Sequence, residues 1–178
     1  MSQYNSTPHI IIRQQPIQGR MCGIKERADR RVLQPPLIVE LEYPNTYDKN
    51  LLLVESYMCH LSLFSKDKKE CQSVVRYEKN PESCIQKLLL GDDPISGVVL
   101  QDPMTGNEGL FFIFPRLSVR FAGIYTICCT VMNMQSGYCE MKYSEPFEVF
   151  SSKRYPGGLD SPSYSTCIMK LLKSVDKH

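Results

Sequence analysis

Six of the chain's 21 basic residues fall within residues 13–31, a stretch that holds only two acidic residues. This stretch has a formal charge of +4, whereas the remaining residues comprise 15 basic and 17 acidic side chains. Five of the six are arginines, whose planar guanidinium fits phosphates and guanine edges. The candidate DNA-binding residues are Arg13, Arg20, Lys25, Arg27, Arg30 and Arg31. On composition alone, a nucleic-acid surface and a solvated, charged loop are equally compatible with this stretch.

The same stretch contains small and apolar residues that bear on how it is held. Gly19 and Gly23 would permit close approach of the backbone to a ligand. Met21, Cys22 and Ile24 alternate with the charges and would anchor a loop to its scaffold.

Residues that could support catalysis or hold a metal are sparse. Cys59 and His60 are neighbours on a predicted strand, so their side chains point to opposite faces and do not form a catalytic pair. Asp92, Asp93 and Asp102 could suggest calcium, but short acidic turns of this kind are typically solvated. The cysteines lack zinc-ligand spacing. We therefore expect no enzymatic activity, no cofactor and no metal site.

Eight cysteines raise the alternative of a disulfide framework: Cys22, Cys59, Cys71, Cys84, Cys128, Cys129, Cys139 and Cys167. The first nine residues lack the basic and apolar regions of a signal peptide. Several cysteines also fall within apolar strand patterns, where a thiol acts as a small hydrophobe. We expect the cysteines to be reduced.

Strand patterns dominate the elements that must position these residues. Residues 37–43 and 56–64 alternate apolar and polar side chains, and residues 110–114 are apolar throughout, which is typical of a strand buried on both faces. Further strands are predicted at 96–100, 123–134 and 145–150, with a hairpin turn at 65–70. Regular spacing between glycine- and proline-containing turns indicates a β-sandwich.

One helix is predicted after Ser161, which would cap it, and Pro162. Apolar residues follow at helical spacing, which favours packing against the sandwich over a partner-binding role. They are Tyr164, Cys167, Ile168, Leu171, Leu172 and Val175. No apolar run reaches the roughly 20 residues of a membrane helix. We expect an N-terminal tail at residues 1–9 and a single domain at residues 10–178.

Four blocks of the sequence resemble the velvet domain of fungal developmental regulators, between Ile10 and Leu172. "RQQPIQGRMCG" (13–23) is similar to the family's "QQP…ARMCG", and "ADRRVLQPPLIVEL" (28–41) to "DRRPIDPPPIVQL". "EGLFFIFPRLSVRFAGIYTI" (108–127) resembles "GGFFVFPDLSVRLEGRYRL". "CEMKYSEPFEVFSSKRYPG" (139–157) resembles "CKSIYSDPFVVYSAKKFPG". The spelling "KERADRR" (25–31) leans toward the VosA-like branch.

The resemblance implies an all-β, immunoglobulin-like β-sandwich related to the Rel homology domain, with the C-terminal helix added. It implies sequence-specific binding of double-stranded DNA by the six basic residues, and homodimers or heterodimers with other velvet proteins. It also implies a nuclear regulator of transcription in development, sporulation and secondary metabolism, shuttling with the cytoplasm, without a membrane partner. Arg116 replaces the acid of the family's "FPDLSVR", which changes the local surface charge.

The sequence matches one detail of the immunoglobulin pattern and departs from another. Gly123 and Tyr125 resemble the G-x-Y of a tyrosine corner, but Cys128 follows Tyr125 by three residues and the chain has no tryptophan. The antibody-type disulfide core is therefore not implied. The alternative function is an adaptor that dimerises and scaffolds a regulatory complex without binding DNA.

Overall fold

The computed structural model describes residues 7–24, 31–43, 56–77 and 84–175. Within these ranges the chain forms fourteen strands and one helix. The strands are β1 His9–Gln14, β2 Gln18–Arg20, β3 Leu37–Glu42, β4 Tyr57–Ser65, β5 Val74–Tyr77, β6 Cys84–Lys87, β7 Leu89–Leu90, β8 Ile95–Ser96, β9 Val98–Gln101, β10 Glu108–Phe114, β11 Ser118–Val119, β12 Gly123–Asn133, β13 Tyr138–Tyr143 and β14 Phe147–Phe150; the helix is α1 Ser163–Val175.

Two sheets pack face to face, which confirms the predicted all-β sandwich with a C-terminal helix. The first sheet has the order β1-β3-β10-β9, and the second has the order β2-β14-β12-β4-β8 with β13 also paired to β12. The β2–β14 pair is parallel, and the other pairs are antiparallel. Strands β7 with β11 and β5 with β6 form two-stranded ribbons.

Strand β10 is buried on both faces, as its uninterrupted apolar sequence predicts. Leu110, Phe112 and Phe114 belong to the core between the sheets. Phe111 and Ile113 point the other way and form a second cluster with Ile168 of α1. The helix therefore covers the outer face of the first sheet, as the amphipathic pattern predicted.

The helix contacts the sheet through a narrower stripe than its sequence indicates. Ile168 is fully buried, whereas Leu171 and Leu172 are only partly buried. Cys167 is exposed and Val175 is 44% exposed, so both were wrongly assigned to the packed face. The helix begins at Ser163, and the Pro162 carbonyl accepts the first helical hydrogen bond from the Thr166 amide, so the predicted cap at Ser161 lies one residue too early.

Strands β2 and β13 were not predicted from the sequence. Part of the basic stretch is strand rather than loop, because β1 extends through Arg13 to Gln14 and β2 ends at Arg20. The strand predicted at 96–100 is divided at Gly97 into β8 and β9.

The start of β12 has the geometry of a tyrosine corner. The Tyr125 hydroxyl donates toward the carbonyls of Phe121 (3.2 Å) and Ala122 (3.4 Å). A tyrosine near the start of a strand that bonds back to the preceding backbone is a feature of immunoglobulin-type sandwiches. Farther along β12, Cys129 joins the core while Cys128 faces outward, as their adjacency predicts.

Two of the three acidic turn residues are buried rather than solvated. The Asp93 carboxylate, 3% exposed, accepts from the Leu61 amide (2.7 Å) and lies 3.1 Å from both His60 Nδ1 and Lys87 Nζ. The Asp102 side chain is 2% exposed. Asp92 remains exposed, as predicted. Among the described residues, no group of three or more acidic, histidine or cysteine side chains is arranged to hold a metal.

Thiol reactivity provides a first test of the expectation that the cysteines are reduced. Burial raises the pKa of the Cys59 and Cys129 thiols, which suppresses the reactive thiolate. We expect the exposed Cys71, Cys139 and Cys167 to react rapidly with an aromatic disulfide reagent in the native protein, and Cys59 and Cys129 only after unfolding. In denaturant without reductant, all eight cysteines should titrate; two or more missing thiols would contradict the prediction.

Within the described residues, no helix is long and apolar enough to span a bilayer.

Candidate nucleic-acid interface

The described residues on either side of residues 25–30 lie at one end of the sandwich. At this end β2 finishes at Arg20 beside the last residue of β14, Phe150. Strand β3 begins there at Leu37, paired with the last residue of β10, Phe114. We call residues 21–24 the first stem and residues 32–34 the second stem; residues 25–30 lie outside the described part of the chain.

The first stem is held by backbone hydrogen bonds to two different segments. The Met21 amide donates to the Phe150 carbonyl (2.9 Å), and the Cys22 amide donates to Val119 of β11 (3.0 Å). The Gly23 amide donates to the carbonyl of Arg120 (2.9 Å), and its φ of +73° is a conformation that favours glycine. Of the three apolar residues predicted to anchor this stem, Met21 packs against the core.

The second stem is fastened to the same region. The Leu33 amide donates to the Leu117 carbonyl (2.7 Å), and Gln34 exchanges backbone hydrogen bonds with Gln18. A Cβ on Gly19 would lie 2.4 Å from Leu33 Cδ2. The absence of a side chain at Gly19 thus allows close contact between β2 and the second stem.

Arg120 joins the first stem to the end of β6, and sequence reasoning missed it. It is a buried arginine, 6% exposed, inside an otherwise apolar segment. Its guanidinium donates to the carbonyls of Gly23 (3.1 Å), Ile24 (2.9 Å) and Lys87 (2.8 Å). The three carbonyl dipoles compensate the charge of the buried guanidinium. The guanidinium in turn holds Gly23 and Ile24, the last described residues before residues 25–30. The signal for this role in the sequence was an arginine among apolar residues, with no acidic residue close to it in sequence.

The six candidate cations fall into three groups. Arg20, half-buried, and Arg31, exposed, flank the two stems. Lys25, Arg27 and Arg30 belong to residues 25–30 and lie outside the described residues. Arg13 is in strand β1 and has a different environment.

Arg13 lies in an ionic cluster beneath the helix. Its guanidinium contacts Asp102 and lies 3.4 Å from a Glu40 oxygen. The same group is 5.8 Å from the centre of the Tyr164 ring of α1, within the range of a cation–π contact. Burial raises the pKa of Glu40, although Arg13 acts in the opposite direction. Two carboxylates and an aromatic ring thus occupy Arg13, which ties β1, β3 and the turn before β10 to the helix.

Arg116 replaces the acidic residue of the "FPDLSVR" pattern that this part of the sequence resembles. Its side chain, 74% exposed, lies 3.3 Å from the exposed Asp92 carboxylate. Arg116 immediately precedes Leu117, which receives the second stem. The arginine therefore adds a cation, partly offset by Asp92, to the end of the sandwich where the basic stretch is attached.

Comparison with known proteins gives consistent matches over almost the whole chain. A family model described as "Velvet factor" matches residues 8–87 and 76–171. "Spore development regulator vosA" of Beauveria bassiana is 28% identical over 195 residues, covering 98% of this chain and 69% of the relative. "Sexual development regulator velC" of Gibberella moniliformis is 30% identical over 192 residues, covering 95% of this chain and 40% of the relative.

A third relative, "Sexual development regulator umv3" of Mycosarcoma maydis, is 26% identical over 181 residues. The match covers 93% of this chain and 44% of the relative, so the chain spans less than half the length of umv3 and of velC. A VosA-type protein is among the relatives, as the sequence predicted, beside other types of regulator at similar identity. Because the family model covers both the basic stretch and the sandwich that anchors it, the chain belongs to the velvet factor family.

Proposed function

We propose that this chain is a sequence-specific DNA-binding regulator of transcription in fungal development, sporulation and secondary metabolism. In this proposal it acts in the nucleus, with shuttling to the cytoplasm, as a dimer with itself or with another velvet protein. The names of the relatives, which are regulators of spore development, sexual development and secondary metabolism, support the biological part.

The observation that carries the DNA-binding part is the anchoring of the basic stretch. Both stems are fixed to residues 117–120 by short backbone hydrogen bonds, so the cations between them start from a defined place on a rigid scaffold. Binding residues are commonly found on loops that a rigid sandwich positions. Because the facing surfaces of the two sheets are occupied by packing, an end of the sandwich is the surface that can enter a groove of DNA.

The proposed DNA-facing residues are Arg20, Lys25, Arg27, Arg30 and Arg31. We leave Arg13 out, because its two carboxylate partners compete with phosphate for the same guanidinium. Arg30 and Arg31 precede the anchored second stem, which favours base recognition by these two residues. Lys25 and Arg27 are farther from that stem in sequence and are proposed to contact phosphates.

The test is the affinity of the purified protein for a specific and a random duplex, measured across a salt series. For Lys25→Ala/Arg27→Ala we expect weaker binding to both duplexes and a salt slope lower by about one for each phosphate that the variant no longer neutralises. For Arg30→Ala/Arg31→Ala we expect discrimination between the duplexes to fall by about 1–3 kcal/mol for each base-reading side chain removed. A mobility-shift selection from random sequences supplies the specific duplex.

Lys170→Ala/Lys173→Ala is the matched control, because it removes two exposed cations of α1 that lie outside the basic stretch. It should leave affinity and salt slope close to those of the wild type. If both variants of the basic stretch bind like the wild type, the DNA site lies elsewhere. If the wild-type protein dimerises but binds no duplex, the adaptor function replaces DNA binding.

A further inference from the structure

A second basic element lies next to the two stems, although more than 100 residues separate it from them in sequence. Strand β14 ends at Phe150, and residues 151–155 form a tight turn in which the Ser151 carbonyl accepts from the amides of Arg154 and Tyr155, both at 3.0 Å. Lys153 and Arg154 lie within this turn. We call residues 151–155 the second basic turn.

The second basic turn is fastened to the first stem at its beginning. Phe150 is paired in register with Arg20, and its carbonyl accepts from the Met21 amide (2.9 Å). Because neighbouring strands lie about 4.8 Å apart, the exit of β14 and the exit of β2 are adjacent at the end of the sheet.

The end of the turn and the segment after it are fastened to the second stem. The Tyr155 hydroxyl donates to Gln34 Oε1 (3.2 Å), and the same oxygen accepts from the Leu159 amide (3.0 Å). Gln18 Nε2 donates to the Gly157 carbonyl (2.7 Å). An edge-to-face contact between the rings of Tyr155 and Phe150, with ring centres 6.5 Å apart, closes the turn. The backbone that carries Lys153 and Arg154 is therefore tied to both stems.

The two cations of this turn are available to an external anion. Both side chains belong to exposed residues, and neither has an ion-pair partner among the residues that the structure describes. Residues 150–159 contain these two cations and no acidic residue. The local charge is therefore uncompensated within the segment.

We propose that Lys153 and Arg154 form a second phosphate-binding element that grips the duplex backbone beside the groove entered by residues 25–31. This inference rests on the proposed DNA-binding function and assigns residues outside the basic stretch to it. Contacts to phosphate fix the register and orientation of a protein on DNA, whereas contacts to bases carry the sequence information. A rigid turn beside the two stems would set the angle at which this end of the sandwich meets the duplex.

The experiment compares Lys153→Ala/Arg154→Ala with the wild type on a specific and a random duplex, at salt concentrations from about 50 to about 200 mM. We expect the salt slope to fall by about two, and affinity for both duplexes to fall by the same factor, roughly 10- to 100-fold at about 0.1 M salt. Lys170→Ala/Lys173→Ala controls for the loss of two positive charges. Melting temperatures should be unchanged, since exposed charges contribute little to stability.

The outcomes separate this inference from the function on which it rests. If Arg30→Ala/Arg31→Ala discriminates less between the duplexes while Lys153→Ala/Arg154→Ala matches the wild type in affinity and slope, the second element is refuted and DNA binding stands. A loss confined to the specific duplex would show base recognition and would also refute phosphate binding by the turn. If the wild type binds no duplex, both the function and the inference fail.

Discussion

Arg120→Leu is expected to lower the free energy of unfolding by about 3–5 kcal/mol, because three hydrogen bonds from a charged donor to backbone carbonyls are lost. The residue is 6% exposed, and its guanidinium donates to the carbonyls of Gly23, Ile24 and Lys87, which leucine cannot do. Urea denaturation measures the change. Arg116→Leu is the matched control, because that arginine is exposed and its ion pair with Asp92 should contribute little.

The Arg120→Lys variant tests whether Arg120 positions the first stem, separately from its contribution to folding. A lysine keeps the charge but lacks the planar fork that reaches several carbonyls at once. We expect this variant to fold, to bind DNA more weakly, and to keep the wild-type salt slope, because Arg120 holds the first stem and does not reach phosphate. A reduced slope would mean that Arg120 itself contacts DNA. Unchanged affinity together with unchanged stability would show that the stem does not depend on this residue.

Ile168→Ala should lower the free energy of unfolding by about 2–5 kcal/mol, because the side chain is fully buried between α1 and the outer face of the first sheet. The cost combines reduced burial of apolar surface with a cavity against Phe111 and Ile113. Thermal and urea denaturation, followed by circular dichroism, measure it. Leu171→Ala, at a partly buried position of the same helix, should cost less.

Variants at different positions of α1 distinguish packing of the helix against the sheet from binding of a partner. If Ile168→Ala retains the wild-type melting temperature but loses self-association, the helix is an interaction surface rather than a cover for the sheet. Cys167→Ala, at the neighbouring exposed position, should alter neither property.

Local patterns predicted the elements whose environment is uniform along their length. Residues 110–114 are apolar at every position, and the structure buries them on both faces because the second sheet covers one face and the helix covers the other. Residues 37–43 alternate, and β3 accordingly buries Leu37, Val39 and Leu41 in the central core. The amphipathic helix was predicted for the same reason, although its exact contact stripe depends on the sheet beneath it.

Interactions between distant parts of the chain were not predictable in this way. Arg13 was grouped with the other cations of its stretch, but its partners are 27 and 89 residues away in sequence, at Glu40 and Asp102. The partners of Arg120 are backbone carbonyls, which leave no mark on residue type. The second basic turn was likewise invisible as part of the candidate site, since only the fold brings residues 151–155 beside Gln34.

Strand β13 was missed because its inward side chains are polar. Tyr138, Glu140 and Lys142 alternate with Cys139, Met141 and Tyr143, so no apolar face stands out. The inward carboxylate and ammonium groups bind backbone atoms of the first sheet instead of entering the core. Glu140 Oε2 accepts from the Ile10 amide (3.3 Å), and Lys142 Nζ donates to the Ile10 carbonyl (3.1 Å).

These two side chains have a consequence for assembly. Strand β1 is an edge strand, and an unprotected edge offers amides and carbonyls to a strand of another molecule. The amide and the carbonyl of Ile10 are already bonded to side chains of β13, which belongs to the other sheet. These side chains therefore cover the edge of β1 at Ile10. A strand of another molecule could therefore pair with β1 at Ile10 only by displacing both side chains, which disfavours edge-to-edge aggregation at this position.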